Sequence, residues 1–302
     1  MWDLSIFLTN FPGEVAALES ALCWALGTVI FGKLGQLFPP LFLNFLKGAI
    51  AILMLLFTIL ISDKLLISIS PVSLGLLLLS GAIGVGIGDT VYFSALNRLG
   101  ARRTLLLGML APPIAAILAL IFLQEQLKMT AWSGIMLTIL GVGWVITEGV
   151  SGKNERLEWR GVIFGILAAL AQAIGVILSR AALVNTEISP LWSTLLRMAV
   201  GEVLLFFGLI YQAPNVGLLL KTLQSKKVLW TVMFGTFFDY LLIYLQQMSL
   251  KYTAAGIAQA LMATSPLFVL PFAVWMGDKV TIRAVLGVIV AIAGVTLLFS
   301  WK

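Results

Sequence analysis

Five ionisable residues stand deep inside apolar stretches of this sequence: Lys47, Asp89, Arg197, Glu202 and Asp239. A charge at mid-bilayer costs about 2.5–3.5 kcal/mol even on the lenient insertion scale, so such residues normally face the protein interior and pair. One chemistry that fits them is structural ion pairing, such as Lys47 with Asp89, and Arg197 with Asp239 or Glu202. The other is a substrate site, a gate or a proton relay, with Asp89, Glu202 and Asp239 as the proton carriers. The two overlap, because a gate can be a salt bridge that breaks. Arg197 and Glu202 are five residues apart, which turns them about 140° from each other on a helix and disfavours a pair within one helix.

Polar and aromatic residues extend this set. Asp239, Ile243, Gln246 and Gln247 follow one another at i, i+4, i+7 and i+8, which is one helical face. Asp89, Tyr92, Phe93, Leu96 and Asn97 form a comparable face, and both faces are expected on a cavity. Trp24, Tyr92, Phe238 and Tyr244 could stack on an aromatic or aliphatic substrate, although membrane aromatics also serve packing and interface belts. Pro113 and Pro266 fall about halfway along two apolar segments. A helical proline frees the carbonyl four residues back and kinks the helix, here the carbonyls of Met109 and Met262. Pro112 and Pro271 disturb the same segments. Hinges and exposed carbonyls lining a central cavity are one expected outcome; the other is that these prolines only shape helix packing.

The elements that must position these residues are transmembrane helices. Apolar residues make up 61% of the chain and charged ones 11%, against roughly 25% charged in soluble proteins. Ten apolar stretches of spanning length are expected at 14–36, 40–62, 71–97, 101–124, 128–148, 160–182, 190–211, 227–249, 254–276 and 281–301. Ser62-Asp63-Lys64 and Leu99-Gly100-Ala101 read as tight turns, and 213–227 as the longest loop. The first thirteen residues read as a tail without signal-peptide features. Gly134, Gly141, Gly143, Gly287 and Gly294 recur at helical spacing and are expected to allow close helix packing.

The sequence also repeats itself. At an offset of 153 residues Pro113 meets Pro266, Glu125 meets Asp278, Gly134 meets Gly287 and Gly141 meets Gly294. At 150, Pro40-Leu41 meets Pro190-Leu191 and Lys47 meets Arg197. Five helices per unit put the second unit in upside down, the inverted-repeat arrangement of many transporters. The expected units are 14–150 and 161–302, joined by a polar connection at 151–160.

Other chemistries fit poorly. The chain has no histidine and one cysteine, Cys23, which removes the commonest general base and any disulfide framework. No Cys/carboxylate cluster suggests a metal, and no P-loop suggests ATP hydrolysis, so no cofactor is expected. Gly86-Ile87-Gly88-Asp89 reads as the GxGD of intramembrane aspartyl proteases. That chemistry needs two carboxylates sharing a proton, and the Tyr-Asp pair those enzymes carry in the preceding helix is missing. The net charge of +6 is spread over loops without a basic block, so no nucleic-acid partner is expected.

In both halves the order of motifs resembles a ten-helix EamA-type member of the drug/metabolite transporter superfamily. The first half carries Trp24-Ala25, Lys33, Pro40, Lys47, Tyr92-Phe93-Ser94-Ala95-Leu96, Pro113, Gln124-Glu125, Gly134 and Gly141. The second carries Arg180, Pro190, Arg197, Tyr244, Ala254-Ala255, Ser265-Pro266, Gly277-Asp278, Gly287 and Gly294. It departs from the first at Gln172, which stands where helix 1 has Trp24, so any aromatic lining is one-sided. The resemblance implies an all-α integral protein of the cell (inner) membrane. It also implies a secondary transporter, an exporter of amino acids, related metabolites or drugs, that works by alternating access. Its partners would be a small-molecule substrate, the lipid bilayer and, in a coupled mechanism, protons. A cavity with both signs of charge and several amides suits a zwitterion better than a bulky lipophilic cation. A channel or scaffold without alternating access, and an intramembrane enzyme, are the other classes. Glu125 and Asp278 are expected to cap or salt-bridge the turns that follow them. Twelve Lys and Arg lie on the side of the odd-numbered loops against five on the other, which argues for termini outside, whereas the resemblance implies termini inside.

Overall fold

Prolines punctuate this chain without breaking it. Pro12, Pro40, Pro71 and Pro190 each open a helix, where the missing N–H has no intrahelical partner to lose. The computed structural model describes residues 11–62, 69–148, 158–212, 216–265, 267–268 and 282–299, and these are helical with short turns. The first half holds α1 (Pro12–Leu34), α2 (Pro40–Ile61) and α3 (Pro71–Gly81). The last continues as a π-helix over Ala82–Asp89 and then as α4 (Thr90–Gly108). Next come α5 (Ala111–Leu118), with a π-helical turn over Ala119–Leu123, and α6 (Met129–Glu148). The second half holds α7 (Trp159–Leu183), α8 (Pro190–Gln212), α9 (Val216–Leu223), α10 (Lys226–Tyr252), α11 (Ala255–Met262) and α12 (Ile282–Phe299).

Six described helices are long and apolar enough to cross a bilayer. Large apolar side chains such as Phe57, Phe122, Phe207 and Ile282 lie on the outside, a surface suited to lipid.

Several boundaries differ from the sequence expectation. The stretch expected to end at 97 runs unbroken from Pro71 to Gly100. Gly100 then turns the chain at φ 76° and ψ 166°, a backbone that a residue without Cβ adopts readily. The expected single helix 101–124 is two pieces, broken between Gly108 and Ala111. Pro113 therefore lies in the first turn of α5 and not at a mid-helix kink, and the bend comes from the break before it. The second half has a break at the matching depth, where α11 stops at Met262 and turns at Ala263-Thr264. Pro266, Pro271, Gly277 and Asp278 lie outside the described residues. The expected loop after 212 contains the short helix α9.

The two halves interleave. α1 runs along α10, while α7 runs along α3 and α4, so each half's first helix packs on the other half's third. α2 faces α8, and α6 faces α12. Glycine makes the tightest crossings possible. A Cβ on Gly141 would come within 2.4 Å of the Ala291 nitrogen, and one on Gly294 within 2.5 Å of the Thr138 nitrogen. Helix α3 is pressed harder still: a Cβ on Gly81 would sit 2.1 Å from the Arg197 carbonyl oxygen. Ser80 next to it fastens α3 to α7 by donating to the Gly175 carbonyl at 2.6 Å.

Gly81→Ala must push backbone away from backbone. It is expected to lower stability by about 1–3 kcal/mol, the usual range for overpacking. Gly75→Ala, with nothing within 4 Å of its added Cβ, is the control that melts as the wild type in detergent. Equal melting of the two variants would refute the close-crossing account.

Candidate substrate cavity

The π-helical segment explains how Asp89 reaches its partners. A π-turn leaves backbone carbonyls without their usual partners and is common at functional sites. Asn44 on α2 supplies a donor: its Nδ2 lies 3.1 Å from the Val85 carbonyl and 3.0 Å from Thr90 Oγ1. Thr90 in turn donates to the Gly86 carbonyl at 2.8 Å. Gly84 and the glycines of the GxGD run face neighbours closely, Gly84 against Gly175, Gly86 against Gly201 and Leu204, and Gly88 against Ala171. They serve contact with α7 and α8, and they deliver Asp89 to the centre of the bundle.

There Lys47 holds two acids. Its Nζ donates to Asp89 Oδ2 at 2.9 Å and to Asp239 Oδ1 and Oδ2 at 3.0 and 3.2 Å. The ammonium also lies 5.5 Å from the centre of the Phe93 ring. Lys47 is 2% exposed, so this is a desolvated cluster of one cation and two carboxylates from α2, the end of the π-segment and α10. The expected pair of Lys47 and Asp89 forms. The expected pairs of Arg197 do not: Asp239 is taken by Lys47, and Arg197 Nε and Nη1 and both Glu202 carboxyl oxygens are buried without a hydrogen-bond partner. Helical geometry had already turned Arg197 and Glu202 apart. Glu202 instead lies over Gly48, whose missing Cβ leaves room for its carboxyl.

Above this cluster opens a cavity with an empty volume of about 760 Å³, its mouth included. Its walls come from α1, the end of the π-segment, α4, α5, α7 and α11. Trp24, Tyr92, Leu105, Met109, Pro112 and Met262 make it largely apolar, and Asp89, Thr104, Gln172, Gln259 and Ser265 supply polar points. Trp24 packs edge-to-face on Tyr92 at 5.2 Å. Two smaller voids adjoin it. One is lined by Arg197, Asp239, Gln172 and Gln246, and the other by Lys47, Asp239 and Phe93; Trp24 and Asp89 line both.

Of the residues singled out in the sequence, Trp24, Lys47, Asp89, Tyr92, Arg197, Asp239 and Gln246 meet around these connected voids. Phe238 and Tyr244 do not line them. Phe238 stacks edge-on to Phe234 and Phe237. Tyr244 is half-buried elsewhere on α10. Gln247 turns away to accept a hydrogen bond from Ser193 at 2.6 Å. At the Pro113 break it is Pro112 that reaches the cavity wall. Gln172 does so at the position matching Trp24, and the aromatic residues lining this cavity, Trp24 and Tyr92, come from the first half. Thr104 and Gln259 were not singled out; a glutamine within an apolar helix was the available signal for the latter.

The end of the bundle holding Glu125 is bridged by a network that the sequence did not reveal. Glu125 does not cap its own turn. Gln124, left-handed at φ 54°, directs it across to the second half. Its Oε1 accepts from Arg180 Nε at 2.6 Å and its Oε2 from the backbone N–H of Ala255 at 3.1 Å. That N–H opens α11, where a carboxylate also meets the positive end of the helix dipole. Arg180 Nη1 donates to the Leu250 and Lys251 carbonyls at 2.8 and 3.1 Å. Nearby, Thr253 Oγ1 donates to Glu14 at 2.9 Å. At the opposite end, Arg98 and Glu158 form an ion pair that is well exposed on both sides.

Comparison with known proteins agrees with this architecture. The model of the EamA-like transporter family matches residues 11–147 and again residues 159–300. A solved crystal structure 16% identical in sequence superposes with a TM-score of 0.76 over 95% of each chain, a likeness of fold. No curated protein matches the sequence. This chain therefore belongs to the EamA-like transporter family, as an integral multi-pass membrane protein built from two copies of that family's unit.

Proposed function

We propose that this protein is a secondary transporter that exports small organic solutes, amino acids or related metabolites and drugs, across the cell (inner) membrane. It works by alternating access between two inverted five-helix repeats of ten spans in all, 14–150 and 161–302, joined through 151–160. The observation that carries this reading is a mid-bundle cavity between the halves. The cavity rests on a buried Lys47–Asp89–Asp239 cluster, with the Glu125–Arg180 network at one end of the bundle. A site of this kind, reached from one side at a time, is what rocking repeats require.

Uptake into proteoliposomes tests the proposal, with amino acids, sugar phosphates and cationic drugs offered with and without a proton gradient. Saturable, substrate-selective flux is the expected result; unsaturable leakage of every solute would favour a channel. Protons are carried, in this reading, by Asp89, Glu202 or Asp239. If Asp89→Asn, Glu202→Gln and Asp239→Asn together leave the pH dependence of flux unchanged, proton coupling through these groups is refuted.

A further inference from the structure

The Arg197 guanidinium is a buried cation that the Lys47 cluster leaves unserved. Arg197 is 3% exposed, and its Nε and Nη1 find no hydrogen-bond partner. An arginine stays charged in proteins, and an uncompensated buried charge is costly. The side chain lines a small void together with the amide residues Gln172 and Gln246, with an empty volume of about 350 Å³ that includes its open side. Gly84 beside it has no side chain, and a Cβ there would lie 3.2 Å from Arg197 Nη2, so the fork has room. The void shares Trp24, Asp89 and Gln172 with the large cavity.

Asp89 complements it. Its Oδ2 is taken by Lys47, while its side chain keeps 19% exposure and lines both voids. One lysine between two aspartates leaves a surplus negative charge, and Arg197 lines the same void without a hydrogen-bond partner, whereas Glu202, equally unpartnered, lies over Gly48 and outside the lining of this void. A simple cation entering here would leave the guanidinium bare. A simple anion would add to the surplus. A ligand carrying both signs serves both groups and changes the net charge by nothing.

We propose that Arg197, with Gln172 and Gln246, is the carboxylate subsite of a zwitterion site whose ammonium end is Asp89, the apolar body of the ligand lying along Trp24 in the large cavity. This rests on the transporter reading for its purpose but not for its test. Guanidinium and carboxylate form paired, charge-assisted hydrogen bonds, which is the recognition expected once a ligand arrives.

Calorimetric titration of the purified full-length protein in detergent provides the test, with four probes: leucine, 3-methylbutylamine, 4-methylpentanoate and sodium chloride. Leucine is expected to bind at least tenfold more tightly than either one-charge analogue. Arg197→Gln is expected to weaken leucine at least tenfold while leaving 3-methylbutylamine within a factor of about three, and Arg197→Lys to recover part of the loss. Should Arg197→Gln fail to fold, Gln172→Leu is the second variant, weakening leucine and 4-methylpentanoate but not the amine. Binding of chloride alone, equal binding of amine and zwitterion, or binding of no probe by the wild type overturns the proposal. Leucine binding in detergent without flux in liposomes would refute the transport reading and keep the site. Flux of another solute, unaffected by Arg197→Gln, would refute the site and keep transport.

Discussion

Replacing Lys47 by alanine is expected to remove about 3–5 kcal/mol of stability, the range for stripping one partner from a buried ion pair, and to abolish transport. The reason is charge and not packing. Lys47 offers three ammonium protons, and its contacts reach Asp89 and both oxygens of Asp239 at 2.9–3.2 Å. Without it two carboxylates face each other at the base of the cavity, the Asp239 side chain 7% and the Asp89 side chain 19% exposed. Each must take up a proton or drag in solvent. Lys47→Met combined with Asp89→Asn and Asp239→Asn removes charge from all three and is expected to regain most of the stability while transport stays absent. Thermal melting in detergent, alongside flux in liposomes, separates the two effects. A Lys47→Ala protein that melts like the wild type would refute the cluster as a structural element. A triple variant that still transports would refute it as part of the substrate site.

Glu125→Ala is expected to weaken one end of the bundle by about 1.5–3 kcal/mol, the range for hydrogen bonds to charged groups. The carboxylate joins α5 of the first half to α7 and to the first turn of α11 in the second. Its loss leaves Arg180, among the described residues, with the Leu250 and Lys251 carbonyls. Glu125 and Arg180 retain 16% and 12% side-chain exposure, so water can partly replace the lost bond and the lower half of the range is expected. Arg180→Ala should cost a similar amount, and the double variant less than the sum, because both changes cut the same bond. A functional consequence is also expected. A cysteine at position 259, in a protein with Cys23 replaced by Ser, should be labelled faster from the Glu125 end when Glu125 is Ala. Unchanged labelling would mean that this network holds the fold without gating the cavity.

How much of this was legible beforehand follows from how local each property is. Spans were readable because the cost of burying charge in lipid forces long apolar runs. Their ends were less so: thirty residues from Pro71 to Gly100 form one rod, although the hydropathy pattern suggested a shorter one. The kinks were placed at Pro113 and Pro266, whereas the first half breaks before its prolines, where the missing N–H has no bond to sacrifice. The glycines of the GxGD run carry a motif shared with proteases, yet here they are contact surfaces for α7 and α8. Trp24, Lys47, Asp89, Tyr92, Arg197, Asp239 and Gln246 were found because a polar or aromatic group inside an apolar run is conspicuous. Phe238 and Tyr244 were equally conspicuous and lie off the cavity, since a helix's polar stripe does not say how far its flanks turn.

By itself the sequence determined that this is a membrane-embedded, two-unit helical protein of the EamA-like family, and which charges it would have to bury. Those properties are written in composition and period, read within a few dozen residues, and in a repeat read by sliding the sequence against itself. Tertiary structure alone decided which charges meet. Lys47 chooses Asp239, 192 positions away, and Glu125 chooses Arg180, 55 positions away, because α1 packs on α10 and α7 on α3 and α4. That exchange of helices between halves depends on glycine-sized gaps at crossings such as Gly81 on Arg197 and Gly84 on Gly175. A single chain of letters does not show which gap faces which backbone.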